Sequence, residues 1–569
     1  METRSLRDDE VMKRKLLIIG WDGASFIALD GLIERGCLPT LARLRANGFS
    51  APLNSTLPPV SAPAWTSFIT GKNPGKHGIF QFYEVNPWSP KALGRGQRTH
   101  MAVPGVVVNS RSIGEAKFWE LMSAAGLRLA LINLPMTYPP APINGLMITG
   151  MLTPPGARQF TYPPELAEAL PPYEIDLNPR EKDFSSPDAQ FLRRIRDVLA
   201  KRTRVALELF RRERWDCFVV IFTETDRLQH RYWHIVDPRC DASEWAHIEA
   251  DVVDVYRQLD RALAELVRLA GDEYDVLVLS DHGFGPAAIK RLNFSALAER
   301  LQLFVSTGGW ERNVRRAFNR ISSSKRRIYK YLTPLVPERF LHRAEAGLKT
   351  LARRGVKAKL IKLHDYIGGV WINTTEHPGG VIEPGPPYEA LRTQLMNRLA
   401  AVRDPATGKP IIIDVRRRED VYHGPYTTAA PDIIFILDDE YGIETGGRSS
   451  ELILRIPQKN QGTHRREGIL IMSGRAVRPN VQMARANPTA PGIEDVTATM
   501  LYLADVPLPE DLDGRVIEEA LDEDFLRRRP IRRCSSSRRP SPDVASEVWE
   551  SAEEEAEIRE RLRELGYLE

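Results

Sequence analysis

Residues 274–283 read YDVLVLSDHG, a short apolar run rich in Val and Leu that ends on Ser, Asp, His and Gly. A continuous apolar run of this length, closed by polar and turn residues, is the pattern of a strand buried on both faces. Two other stretches repeat it. Residues 15–23, KLLIIGWDG, carry Asp22 just past their apolar residues. Residues 216–226, DCFVVIFTETD, end on Asp226, with His230 one helical turn later. Three strands thus bring carboxylates and imidazoles to their carboxyl ends, the edge at which open α/β sheets bind ligands. One acid after a strand is commonly a helix N-cap. Three, two of them accompanied by His, point to a site for divalent Zn or Mn.

Outward from these runs, further strands are predicted at 127–133, 369–373, 432–437 and 468–473. Helices are predicted at 39–47, 191–212, 243–269, 387–403 and 493–503. The alternation predicts βαβ units: an α/β fold with a mainly parallel central sheet and helices on both faces. Residues 295–363 break the rhythm and read as basic-faced helices, interrupted by Ser322-Ser323-Ser324, Pro334 and Pro337. The expected organisation is a core in two parts, 12–294 and 364–520, separated by a helical cap insertion at 295–363. After it come a flexible Arg/Ser/Pro-rich linker and a solvated C-terminal helix within 521–569.

The 569 residues are 42% hydrophobic and 27% charged, which excludes a wholly disordered, collagenous or coiled-coil chain. The net charge of +4 conceals an asymmetry. Between Glu311 and Leu363 stand 16 Lys/Arg against three Glu, a local +13 that leaves −9 on the rest. The basic stretch suits a solvated cap, an anionic-substrate funnel or an anionic membrane surface contacted through 312–362. Nucleic acid is not expected as a partner. Four cysteines without Cys-x-x-Cys spacing make no disulfide framework, the start lacks a signal-peptide core, and no apolar run is long enough to span a bilayer. The expected location is cytoplasmic.

A nucleophile candidate lies in LPPVSAPAWTSFITGKNPGKHGIF, residues 57–80. Ser61 stands between Pro58-Pro59 and Pro63, before a predicted helix ending at Gly71. A serine alkoxide needs a base or a metal to lower its pKa, and no G-x-S-x-G elbow is present, so metal activation fits better.

These segments resemble the alkaline phosphatase superfamily, nearest the type I phosphodiesterase/nucleotide pyrophosphatase branch and its bacterial phosphohydrolase/phosphomutase relatives. The similar pieces are WDG (21–23), PPVSAPAWTSFITGKNPGKHGI (58–79), TETDRLQH (223–230) and SDHGFGP (280–286). GTHRREGILIMSG (462–474) and IEDVTATMLYLADVPLPEDLDG (493–514) follow in the family's order. The resemblance implies one metal held by Asp226, His230 and His464 and a second held by Asp22, Asp281 and His282. The resemblance likewise implies that Ser61 is placed to meet the metals and attack phosphorus, and His464 is found only through the resemblance. Two divalent ions stabilise the attacking and leaving oxygens of an in-line displacement. The expected reaction is hydrolysis of a phosphate monoester or diester through a phosphoseryl intermediate, on a phosphorylated small molecule or lipid headgroup.

Two departures from the branch stand out. Phe82, beside Gln81, occupies the place of an Asn that contacts a nonbridging oxygen, and Ser61 replaces the usual Thr. Extra positive charge for a monoester dianion is expected from Lys72, Lys76, His77, Lys290 and Arg291. The alternatives are a phosphomutase of the metal-dependent phosphoglycerate mutase type and a non-catalytic metal-binding adaptor. A sulfatase-like site is disfavoured, because the Ser-x-Pro-x-Arg pattern lacks its Arg.

Overall fold

A computed structural model describes residues 14–86, 105–177, 187–303, 356–377, 379–446, 449–457, 461–485, 487–535, 549 and 551–564. They fall into two units, one formed by 14–82, 107–287 and 461–564, the other by 83–86, 105–106 and 288–457.

The first unit is organised by a sheet that, among the described residues, has nine strands. Its order is Val481–Gln482, Phe49–Asn54, Glu467–Ser473, Tyr274–Leu279, Lys15–Trp21, Cys217–Phe222, Leu129–Leu134, Gly145–Thr149 and Thr161–Tyr162. The five strands from Tyr274–Leu279 to Gly145–Thr149 run parallel, and Ile18 is aligned with both Val219 and Leu277. Glu467–Ser473 enters antiparallel between Tyr274–Leu279 and Phe49–Asn54.

The central strands are apolar on both faces because both are covered. Leu17, Ile19 and Trp21 join a buried cluster with Leu199, Leu209, Leu259 and Leu263 of the long helices Asp188–Arg212 and Ala246–Ala270. On the other face the helices Ser61–Thr70 and Ile493–Leu503 pack together, the second also against Lys15–Trp21. Truncating a fully buried leucine such as Leu17 or Leu263 to alanine removes about 2–5 kcal/mol. Gly20 shows why a strand this apolar contains a glycine. A Cβ there would lie 2.8 Å from the Trp65 ring, so its absence lets that ring reach the sheet edge.

The C-terminal helix Ala552–Glu564 is docked, unlike the solvated helix expected. Ile558 and Leu562 are fully buried, and the preceding Trp549 stacks on Tyr138. Part of the expected flexible linker is also ordered: Glu523–Arg528 is helical and Arg533–Cys534 pairs with Leu508–Pro509. Residues 536–548 lie outside the described residues.

The second unit contains an antiparallel sheet in the order Ala358–His364, Ile367–Ile372, Ile433–Leu437, Ile412–Arg417. The runs 369–373 and 432–437, predicted as strands of the parallel sheet, belong here. Apolar strand runs do not reveal which sheet receives them. Within the expected helical insertion, Asn293 caps the helix Phe294–Arg300, as its type favours. Ala358–His364 is a strand, because pairing with IGGVWI across a tight turn outweighs the helix propensity of its Lys and Leu residues. Residues 304–355, most of the basic segment and of its expected surface contact, lie outside the described residues. Among the described residues no helix is long and apolar enough to cross a membrane.

Candidate active site and metal centre

Parallel neighbours end at the same edge, so Asp22, Asp226 and Asp281-His282 meet beyond the strands Lys15–Trp21, Cys217–Phe222 and Tyr274–Leu279. Gly23 turns the chain in the left-handed region (φ 67°) after Asp22, and its N–H donates to Asp281 Oδ1 at 3.1 Å. Asp226 and His230 lie four apart in the helix Glu224–Val236, on one face of its first turns. His464 arrives on a ribbon in which Gly462–Arg465 pairs antiparallel with Gly283–Pro286. That pairing stacks its ring on His282, centroids 3.7 Å apart.

Each of the three imidazoles turns Nδ1 to a backbone carbonyl: His230 to Gly462 O (3.2 Å), His464 to Pro59 O (3.0 Å), His282 to Gly283 O (3.1 Å). A carbonyl only accepts, so Nδ1 carries the proton and Nε2 of the neutral ring presents a lone pair. Those lone pairs converge. His464 Nε2 and His230 Nε2 lie 3.2 and 3.5 Å from Asp226 Oδ1 and 3.0 Å from each other. His282 Nε2 lies 3.3 Å from Asp281 Oδ2 and 3.8 Å from Asp22 Oδ1.

Among the described residues, Asp22 Oδ1, Asp226 Oδ1 and Asp281 Oδ2 are buried and accept no hydrogen bond. Buried acceptors left this way cost roughly 1–3 kcal/mol each, more when charged, unless a cation meets them. Burial, then the charges of Asp281 and Asp226, push the Asp22 carboxyl well up, and burial takes Asp281 up to about 8. Burial lowers His230 to about 4 and drives His282 well below its ordinary value. Asp226 goes the other way: against burial, His230, His464 and Arg227 hold it below the carboxylate range. The donors therefore fit divalent cations, and they divide into two sets, Asp226/His230/His464 and Asp22/Asp226/His282. The first is the expected set. In the second Asp226 is shared, while Asp281 stands beside it with one oxygen committed to Gly23.

Ser61, fully buried, opens the helix Ser61–Thr70 and places Oγ 3.2 Å from His282 Nε2. The N-cap Val60 has no side-chain acceptor, so the first amide N–H groups face outward from the helix end, a favourable position for an anion.

Several residues the sequence did not single out hold this set in place. Trp65 Nε1 donates to Asp22 Oδ2 (3.1 Å), Thr225 Oγ1 donates to the Asp22 carbonyl, and Gln229 donates to Gly23 O (2.7 Å). Arg227 donates to Asp226 Oδ2 and is itself held by Asp176. The signal for Arg227 lay in TETDR, beside the ligand. Asp176 had none.

The five groups expected to meet phosphate are engaged elsewhere. Lys72 is buried between Glu115 (2.7 Å) and Asp511 (2.6 Å), and Lys76 pairs with Asp513. His77 accepts from Ile79 N–H at Nδ1 and faces Ser67 Oγ with Nε2. In the second unit Lys290 pairs with Glu440 and Arg291 with Asp365. The charges of the three Lys and of Arg291 are taken up by structural pairs formed across loops and strands that the sequence does not place together, while burial disfavours a charge on His77. Phe82 is buried, and its N–H donates to Gln81 Oε1.

Residues 16–469 match the family model described as type I phosphodiesterase / nucleotide pyrophosphatase. The chain belongs to that family. Type I phosphodiesterases and nucleotide pyrophosphatases are phosphoric ester hydrolases of the alkaline phosphatase superfamily. No curated protein matches the chain. Among solved structures it is similar to phosphonoacetate hydrolase from Sinorhizobium meliloti 1021, at 16% identity over 87% of this chain and 96% of that one, TM-score 0.48. It is also similar to human ectonucleotide pyrophosphatase/phosphodiesterase 5, at 13% identity over 90% of this chain and 100% of that one, TM-score 0.47.

Proposed function

We propose that this phosphodiesterase-family chain hydrolyses a phosphoester by attack of Ser61 Oγ on phosphorus, in a site that Asp22, Asp226, His230, Asp281, His282 and His464 build for two divalent ions, Zn or Mn. The observation that carries it is the convergence of imidazole lone pairs and unpartnered carboxylate oxygens within reach of the Ser61 hydroxyl. Bound there, divalent cations supply Lewis-acid charge to the attacking and leaving oxygens. Trp65, Gly23 and Arg227 fix the ligand carboxylates, so the site is ordered before substrate arrives. The open helix end at Ser61 directs amide N–H groups at the phosphoryl oxygens.

Attack forms a bond from Ser61 Oγ to phosphorus as the bond to the leaving oxygen breaks; the hydroxyl proton passes to the departing alcohol, leaving phosphoserine from a monoester or its phosphodiester from a diester. Water then displaces Ser61. Two in-line steps give net retention at phosphorus. The substrate class is a phosphorylated small molecule or lipid headgroup, as monoester or diester. The test is a panel of p-nitrophenyl mono- and diesters assayed with Zn and with Mn, followed by isolation of phosphoserine at position 61 after acid quench. Turnover without any labelled Ser61, or indifference to chelators, overturns the proposal.

A further inference from the structure

The three ligand carboxylates are not held alike. Asp226 Oδ2 is fixed by Arg227, and Asp281 Oδ1 by the Gly23 N–H. Asp22 has a fixed backbone: its N–H donates to Phe222 O (2.9 Å) and its carbonyl accepts from Thr225 Oγ1. Among the described residues, however, its carboxylate accepts one hydrogen bond, from Trp65 Nε1 at 3.1 Å. That bond occupies Oδ2 and leaves Oδ1, 3.8 Å from His282 Nε2, as the atom open to a cation. The terminal torsion of an aspartate is broad and two-fold, so a carboxylate with a single donor turns once that donor is lost.

The donor comes from the helix that carries the nucleophile. Trp65 stands four residues after Ser61 in Ser61–Thr70, so indole and hydroxyl lie on one helix face, about 6 Å apart along the axis. The ring is fully buried and confined. Phe68 meets it edge-on with centroids 5.5 Å apart, and a Cβ at Gly20 would lie 2.8 Å from it. It therefore bridges the helix to the carboxyl end of Lys15–Trp21, where Asp22 follows.

We propose that Trp65 is a positioning residue that ties the nucleophile to one of the two ligand sets. One indole turns Asp22 Oδ1 towards the cation of the Asp22/Asp226/His282 set and holds the helix that places Ser61 Oγ 3.2 Å from His282 Nε2. The Asp226/His230/His464 set has no such tie through Trp65. The inference rests on the metal and nucleophile assignments made above, and adds that Ser61 and the Asp22 set are aligned through a single side chain.

Trp65→Phe keeps an aromatic ring in place and deletes the N–H. Mn²⁺ binding to the full-length protein is measured by calorimetry, with His464→Ala identifying the ion that the Asp22 set retains. Trp65→Phe is expected to weaken that ion about 10-fold or more, the usual range for partners behind a metal ligand, and to leave the other within about twofold of wild type. At Mn²⁺ high enough to fill both sets, kcat for the p-nitrophenyl ester turned over fastest is expected to stay about 10-fold or more below wild type, with KM within about threefold. Gly20→Ala reaches the same ring from the sheet side. The added methyl also meets Ile221 Cδ1, the free end of a flexible side chain. It is expected to weaken the same ion in wild type, but by less than about twofold more in Trp65→Phe, whose shorter ring leaves room for a methyl.

Equal weakening of both ions, loss confined to the other ion, kcat restored by saturating Mn²⁺, or Gly20→Ala damage that adds fully to that of Trp65→Phe overturns the proposal. Should Trp65→Phe fail to fold, Gly20→Ala decides alone by whether its loss is confined to the Asp22 ion. A wild-type protein that binds no Mn²⁺ or Zn²⁺ removes the metal assignment itself, and this inference with it. Two ions in wild type with Trp65→Phe unshifted remove only the inference.

Discussion

His230 Nε2 and His464 Nε2 face each other at 3.0 Å, while Nδ1 of each ring is turned to a backbone carbonyl. Two lone pairs that close repel unless something positive lies between them. A proton is disfavoured, since burial keeps His230 neutral down to about pH 4. Divalent ions are therefore expected to stabilise the fold: at a concentration 100 times its Kd, one bound ion adds about 2.7 kcal/mol. A thermal midpoint that rises with Zn or Mn and falls with chelator checks this, and the same chelation is expected to stop turnover.

His464→Ala removes one of three donors from the Asp226/His230/His464 set and leaves Asp22, Asp281 and His282 untouched. Bound metal is expected to drop from two ions per chain towards one, with activity lost. Metal analysis after gel filtration reads the ratio, and two ions retained in the variant would count against His464 as a ligand.

Ser61→Ala deletes the hydroxyl 3.2 Å from His282 Nε2 and nothing else in the donor set. Turnover is expected to fall by at least about 10³-fold, on the scale of losing a nucleophile. Metal content and thermal midpoint are expected to stay at wild-type values. Substantial residual activity would assign attack to another group.

Lys72→Met tests whether this lysine serves substrate or structure. Its ammonium is buried between Glu115 and Asp511, so removing it strands two carboxylates and is expected to cost about 3–5 kcal/mol. Urea midpoints are expected to fall while KM of the folded fraction is unchanged. A raised KM at unaltered stability would restore Lys72 as a phosphate contact.

His77 is fully buried, and burial lowers its pKa to about 3 from 6.5. The unfolded chain takes up a proton below pH 6.5 that the folded chain refuses, so this contribution is fully present above pH 6.5. It is lost as pH falls towards 3, on the order of a few kcal/mol over the window. His77→Gln is expected to flatten the stability–pH curve between pH 6.5 and 3 relative to wild type. Parallel curves would show that His77 is protonated in the native state.

The central strands were legible because burial on both faces leaves an unmistakable apolar run, as at 15–21, 217–222 and 274–279. The acids at their ends followed from the same pattern. His464 was not legible from pattern, since what places it is the pairing of Gly462–Arg465 with Gly283–Pro286, a contact between segments remote in sequence. Lys72 and Arg291 misled for a related reason. A cation next to a motif looks available until its partner is known, and Glu115 and Asp365 lie 43 and 74 residues away. The strand Ala358–His364 was hidden behind a helix-prone composition, and the docked C-terminal helix behind a charged one in which, among the described residues, Ile558 and Leu562 are the buried apolar side chains.

Residues 288–457 are threaded between two strands that lie side by side, Tyr274–Leu279 and Glu467–Ser473, with Val278 aligned to Ile471. On a ribosome this sets a delay. After His282 emerges, about 180 further residues must be made before His464 can join it, roughly ten to forty seconds at ordinary elongation rates. Throughout that interval one edge of Tyr274–Leu279 lacks its final neighbour, an exposed hydrogen-bonding edge of the kind that recruits other chains. The nascent protein is therefore expected to pass through an aggregation-prone stage in which the proposed ligand set still lacks His464.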